Sequence, residues 1–321
     1  MSRLRPYEGA VVRKSVIQIF TTFVPYLVLM AAMFFILEKN YPYWVVFLLS
    51  IVASGFFLRI FILFHDCSHN SFFRSSRACS FFGSIFGFVT FTPFADWQYT
   101  HSIHHATSSN LEKRGTGDVW TMTVDEYRSA PKWKRLKYRI FRNPLVLFVI
   151  GPLVLVLLLN RLPNKNLRKK EILAVLVNNL MIAVFIVIAY FTIGIKHYLI
   201  VQLPVLYLAG VAGVWLFYVQ HQFDGVYWSR GEGWDPVKAA MKGSSFYKLP
   251  GLFRWFSGSI GYHHIHHLRP KIPNYNLKKC YEDIRELQEI IPVTPFKGFR
   301  SMFLHLWDEK EGKLVGFSAV N

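Results

Sequence analysis

The chain has 321 residues, of which 52% are hydrophobic and 30 are Phe, and its mean hydropathy is positive. Long uncharged runs in such a composition describe an integral membrane protein rather than a large soluble domain. The formal net charge is +18, but the Lys and Arg residues flank apolar runs, as cytoplasmic loops facing anionic lipid do, so nucleic acid is not the expected partner. Cys67, Cys79 and Cys280 form no paired framework and no CxxC, which points to a reducing, cytosolic setting for the polar part.

Residues 1–14 are polar and basic. Residues 15–37 form an uncharged run long enough to cross a bilayer, which takes about 20 residues, and too long for a signal-peptide core. Pro25 is tolerable inside a membrane helix, and the basic N-terminus belongs in the cytoplasm. A short external turn at 38–43 leads to a returning span at 44–64, whose one charge, Arg59, is expected to snorkel to the inner interface. Residues 80–94 are apolar but short and carry Gly and Pro93, so they are expected to re-enter or lie in the interface. Residues 106–143 are polar and basic, hence cytoplasmic. Three apolar runs follow, at 145–159, 172–194 and 198–219. The first is shortest, is broken by Gly151-Pro152 and leads to Arg161, Lys165, Arg168, Lys169 and Lys170, cations that belong inside. It is therefore expected not to cross, while the other two form a hairpin turning outside at 195–197. Residues 220–321 read as cytoplasmic helices and loops.

The histidines carry the chemistry. In Gly261–Leu268, His263, His266 and His267 stand at i, i+3 and i+4 and share a helix face; His264 points elsewhere. The same spacing occurs at His101, His104 and His105, and His65 and His69 stand at i and i+4. A single cluster of this kind can be an exposed polar face. Three clusters supply eight imidazoles, more than the four ligands of a closed zinc site, and a pair of transition-metal ions is the simpler fit. No Cys spacing suits an iron–sulfur cluster, and no pair of Glu-x-x-His segments of the carboxylate-bridged kind is visible.

The segments 65–69 (HDCSH), 101–105 (HSIHH) and 263–267 (HHIHH), in this order around two hydrophobic hairpins, resemble the three histidine boxes of membrane fatty-acid desaturases. Trp97–Thr100 before the second box and His267–Tyr275 after the third resemble the acyl-lipid branch, as does the three-residue gap inside the first box. The resemblance covers roughly residues 40–280. It implies an all-α integral membrane protein, one domain over 1–321, with four spans in two hairpins, interfacial or re-entrant segments, and a cytoplasmic cap from 65–143 and 220–321 around a di-iron centre. It also implies an oxygen-dependent enzyme that inserts a cis double bond into a membrane-lipid acyl chain. The ligands it implies are His65, His69, His101, His104, His105, His263, His266 and His267, with His221 as a ninth. Relatives of the animal acyl-coenzyme type use an Asn four residues before that ninth histidine; here the position is Phe217, so the contact is missing or supplied by another group. No HPGG motif of a fused haem domain occurs, which implies a separate electron carrier such as ferredoxin, flavodoxin or a cytochrome.

If His221 joins His105 at one site, the chain crosses an even number of times between them. Four crossings follow, with both termini and the active site cytoplasmic. Asp66 could orient a ligand imidazole or be solvated; Asn110, Asp118 and Asp224 are weaker candidates of the same kind. Trp97 and Tyr99 are expected to pack at the interface or line an acyl tunnel, and Asn178-Asn179 to hydrogen-bond between helices. His264 is expected to be a supporting donor or surface residue, and His197 and His305 to be structural. A hydroxylase, ketolase or epoxygenase of the same superfamily is the alternative enzyme. A metal transporter or sensor would place ionisable residues at mid-membrane, and a membrane cytochrome would set single histidines across spans; the four runs hold neither His nor acid.

Overall fold

The computed structural model describes residues 2–163 and 167–320; Lys165, one of the cations expected inside, lies outside them. Two long helices open the chain, α1 (Val12–Glu38) and α2 (Tyr43–Ser68), and two more follow later, α8 (Lys169–Thr192) and α9 (Ile195–His221). All four are long and apolar enough to cross a membrane. α1, α2 and α9 run one to four residues past each end of the apolar stretch read from the sequence, and α8 starts three residues earlier but ends two short of it. α2 packs against both α1 and α9, and its inward face carries Val46, Ala53, Ile60 and Phe64. The outward faces of α1 and α8 leave Phe20, Leu27, Leu180 and Phe191 exposed, as a lipid-facing surface requires.

Between the hairpins lie two bent helix pairs. α3 (Ser76–Val89) meets α4 (Phe94–Thr107) at 103°. Phe91, with φ +56°, and Pro93 make the corner, since Pro cannot continue the helix behind it. After α5 (Val124–Ser129), α6 (Lys132–Phe141) meets the apolar stretch Val146–Arg161, which contains α7 (Gly151–Leu157), at 60°. Neither pair makes a net crossing. The rings of His69 and His101 are 4.9 Å apart, so α3 and α4 return to the end they left. His104 and His221 touch as well, so the chain crosses an even number of times between them, and α8 and α9 account for two.

The remainder gathers at that same end: α10 (Pro236–Lys242), α11 (Gly251–Phe256), α12 (His263–Leu268), α13 (Asn274–Asp283) and α14 (Pro295–Ser301). The fold is helical as expected, with one addition. β1 (Met122–Thr123) pairs in parallel with β2 (Leu306–Asp308), which pairs antiparallel with β3 (Lys313–Val315). Strands of two and three residues are too short to show an alternating pattern.

Arg59 does not snorkel. It is buried, donates from Nε to Thr22 Oγ1 at 3.1 Å and to the Trp255 carbonyl, and lies over the Trp255 ring at 4.1 Å. α11 therefore folds down along α2 and takes up the charge that would otherwise need water. Asn178 and Asn179 do bond between segments, accepting from Arg161 Nη1 at 3.1 and 2.9 Å.

Candidate metal centre

Each histidine segment is delivered by a different local device. His65 lies in the last turn of α2, and His69 caps it. α4 carries His101, His104 and His105 on successive turns of one face. His221 is the last residue of α9. α12 is only six residues long because Pro270 pushes the preceding residue out of the helical region, so the third box spans its whole length. At Gly261, just before it, a Cβ would fall 2.4 Å from the Tyr247 carbonyl oxygen, so only glycine lets the box approach that strand-like segment.

All nine predicted imidazoles converge, in two groups. The ring nitrogens of His65, His69, His101, His105 and His266 lie within 4.8 Å of one another, and so do those of His104, His221 and His267. His263 joins the second group, with Nε2 2.9 Å from that of His221 and 3.1 Å from that of His267. The groups touch where the His105 and His267 rings stack at 4.1 Å. No box belongs to one group alone except the first: α4 gives His101 and His105 to one and His104 to the other, and α12 divides likewise.

The donor set fits a pair of metal ions. Inside the first group Nε2 atoms face one another at 3.1 Å (His65 and His101, His101 and His105) and 3.0 Å (His105 and His266). In the second, His104 and His221 face at 3.1 Å. Two nitrogens each about 2.1 Å from a metal sit about 3.0 Å apart at right angles and about 3.4 Å apart at tetrahedral angles. The observed spacings of 3.0–3.1 Å are those of imidazoles able to share one ion. His69 Nε2 is buried with no hydrogen-bond partner, an orphaned lone pair that a cation would satisfy. Burial, and after it the neighbouring imidazoles, hold His69, His101, His105, His263, His266 and His267 well below the usual histidine range. The rings are thus neutral, the form that binds a metal.

The surroundings correct several expectations. Asp66 neither orients its neighbour nor meets water. It is buried, 3.7 Å from His65 Nδ1, and its Oδ2 accepts from the backbone N and the side-chain Nδ2 of Asn274 at 2.7 and 2.8 Å. Consecutive helical residues point about 100° apart, so Asp66 faces the segment behind the third box. Asp118, ranked lower from sequence, is the carboxylate that holds a box histidine: His104 Nδ1 donates to its Oδ1 at 2.8 Å. Gly117, at φ +71° and against His104 Cβ, lets that loop close on α4. Asn110 caps its own turn by accepting from Glu112 N, and Asp224 is exposed. His264 is outside both groups, as expected from its helix face, yet it is fully buried rather than on the surface, with Nε2 3.2 Å from the Leu287 carbonyl oxygen. Phe217 packs against the rings of both His104 and His221, at 5.4 and 5.2 Å between centroids, and puts an apolar wall where some relatives carry an amide. Trp97 stacks on His101 at 4.1 Å. Neither aromatic contact had a pattern by which sequence could find it; both depend on tertiary packing. His197 and His305 lie in neither group.

Comparison with known proteins agrees with this geometry. A sequence profile described as fatty acid desaturase matches residues 42–294. The fatty acid desaturase of Bacillus subtilis is 43% identical over 308 residues, covering 96% of this chain and 87% of that protein. An sn-1 acyl-lipid omega-3 desaturase (ferredoxin) of Synechocystis sp. is 25% identical over 257 residues, covering 74% of this chain and 66% of that one. An sn-1 oleoyl-lipid 12-desaturase of Picosynechococcus sp. is 26% identical over 263 residues, covering 76% and 69%. With a profile match over most of its length and nine imidazoles gathered at one end of four apolar helices, the chain belongs to the fatty acid desaturase family.

Proposed function

We propose that this desaturase holds two iron ions and uses dioxygen to insert a cis double bond into an acyl chain of a membrane lipid. The observation that carries the reading is the division of nine inward-facing imidazoles into two contiguous groups. His65, His69, His101, His105 and His266 would hold one ion, and His104, His221, His263 and His267 the other. An all-imidazole shell is compatible with iron and leaves the ions more cationic than carboxylates would. When bound, the iron pair supplies the oxidising power by which dioxygen, two electrons and two protons take two hydrogens from adjacent carbons, leaving an alkene and two waters.

The protein's own part is positioning. Asp118 accepts a hydrogen bond from His104 Nδ1 and so leaves the Nε2 lone pair facing the second group. Asp66 and Asn274 tie the first box to the segment behind the third, so the two groups keep their spacing. Phe217 and Trp97 cover the imidazoles with apolar surface, which keeps water from a reactive centre. The acyl-lipid substrate is supported by relatives whose names specify acyl-lipid and oleoyl-lipid chains. A separate one-electron carrier, ferredoxin, flavodoxin or a cytochrome, is the expected donor; one relative's name specifies ferredoxin. The basic N-terminus and the cations at 128–142 and 168–170 support a cytoplasmic cap from 65–143 and 220–321, with both termini and the site on that side of one domain. The test is metal content and product together. About two irons per chain and an alkene product are expected; stoichiometric zinc with no activity after iron reconstitution would overturn the metal assignment.

A further inference from the structure

We propose that α6 and α14 form a pad that docks on the headgroups of an anionic phospholipid bilayer, around the turn where the last span leaves the membrane. On α6, Trp133, Leu136 and Ile140 lie within one narrow face at i, i+3 and i+7. That face is not the one the helix packs with: Tyr138, on the opposite side, is fully buried and donates to the His305 carbonyl. On α14, Phe296, Phe299 and the following Phe303 make a second such face, while Gly298 faces inward against Tyr247, Val219 and Trp215, and Ser301 is buried. The six outward apolar residues are 52–72% exposed. A soluble surface would not place two aromatic-rich faces outward.

Charge selects the occupant. Lys132 and Lys137 border the α6 face on its two sides, and Lys297 and Arg300 border the α14 face. None of these four forms an ion pair among the described residues. Between Glu126 and Glu171 the sequence has no acidic residue at all. An apolar face rimmed by unpaired cations suits a membrane surface bearing anionic lipid.

The two elements also meet the same stretch of α9. Arg142, just past α6, donates to the Tyr218 hydroxyl at 3.2 Å, and that hydroxyl donates to the Ser301 carbonyl at 3.0 Å. Phe148 packs on Trp215 and Tyr218. Both elements thus meet the penultimate turn of α9, one turn short of His221, where the span gives way to the cap. α14 begins at Pro295, one residue beyond the segment matched by the family profile.

The experiment uses the full-length protein in nanodiscs of phosphatidylcholine and phosphatidylglycerol. Spin labels on Leu136→Cys and Phe299→Cys report depth by power saturation; the three native cysteines are buried, and unsubstituted protein is the labelling control. Native mass spectrometry of protein released from equimolar discs reports which lipids it retains. Both labels should be shielded from an aqueous paramagnetic reagent. Phosphatidylglycerol should be enriched on the order of tenfold, less at high ionic strength, and the enrichment should fall in a variant carrying Lys132→Gln, Lys137→Gln, Lys297→Gln and Arg300→Gln. Water-accessible labels would overturn the proposal and assign the faces to a soluble partner such as an acidic carrier protein. Shielded labels with equal retention of both lipids at low salt would overturn the anionic preference, whether or not the quadruple variant folds.

Discussion

His104 Nδ1 donates a 2.8 Å hydrogen bond to Asp118 Oδ1, while His104 Nε2 lies 3.1 Å from that of His221. One imidazole therefore joins a carboxylate on one edge to the second histidine group on the other, and the carboxylate fixes which nitrogen is free to bind. Replacing Asp118 with Asn keeps the shape but removes the charge that pins the tautomer. Metal affinity should fall about 10- to 100-fold, read by competition with a chelator of known affinity, with little change in thermal stability of the metal-free protein. Unchanged affinity would show that the bond is only structural.

His221 and His264 separate ligation from packing. His221→Ala should lose iron and desaturated product at matched expression. His264→Ala should keep its iron but lose about 1–3 kcal/mol of stability, because His264 is buried against the Leu287 carbonyl. An iron-poor but normally stable His264→Ala would contradict the division.

Asp66 and Asn274 should behave as a structural pair. Asn274→Ala removes one of the two donors to a buried carboxylate, at a cost of about 1.5–3 kcal/mol. Asp66→Ala loses both bonds, the side-chain one being common to the two substitutions, so the loss in the double variant should fall short of the sum of the single losses. Thermal melts of the single and double variants measure the coupling, and simple additivity would refute it.

His305 gives a pH dependence remote from the metals. Burial, then Arg142 and Arg139, lowers its pKa to about 4, and it stacks on Phe317. The unfolded chain takes up a proton near pH 6.5 that the folded chain refuses until about pH 4, so the unfolded state binds more protons in that window. Its contribution to stability is complete above about pH 6.5 and is lost as pH falls toward 4. His305→Phe should flatten the fall in melting temperature over that range; an unchanged slope would exclude His305 as its source.

The parity of crossings predicts the sidedness of single cysteines. Positions 39 and 196 should label from outside and position 169 from the cytoplasm, with a membrane-impermeant reagent on intact cells and opened vesicles. Labelling of 169 from outside only would contradict the orientation.

Much of this was legible in the sequence because its physics is local. Twenty uncharged residues have one stable state in a bilayer, and three histidines at i, i+3 and i+4 share a face wherever the helix goes. The four spans and the eight box imidazoles are of this kind, while His221 was implied only by the family resemblance. Other features depend on partners far along the chain. Arg59 is held by Thr22 and Trp255 instead of reaching water. Asp66 turns from its own box to Asn274, and His264 is covered by the segment around Leu287. The split into two groups cuts across two of the boxes, so no box pattern contains it. Asp118 had a weak signal: a carboxylate thirteen residues beyond the second box, next to a glycine.

The most direct measurement is the acyl composition of membrane lipids in a host that makes no unsaturated fatty acids, expressing this chain or its His267→Ala variant with a matching electron donor. The expected result is esterified acyl chains carrying a cis double bond with the native chain and none with the variant. A hydroxylated or epoxidised product, or unaltered saturated lipids despite iron-loaded protein in the membrane, would contradict assignment of the nine-histidine centre to desaturation.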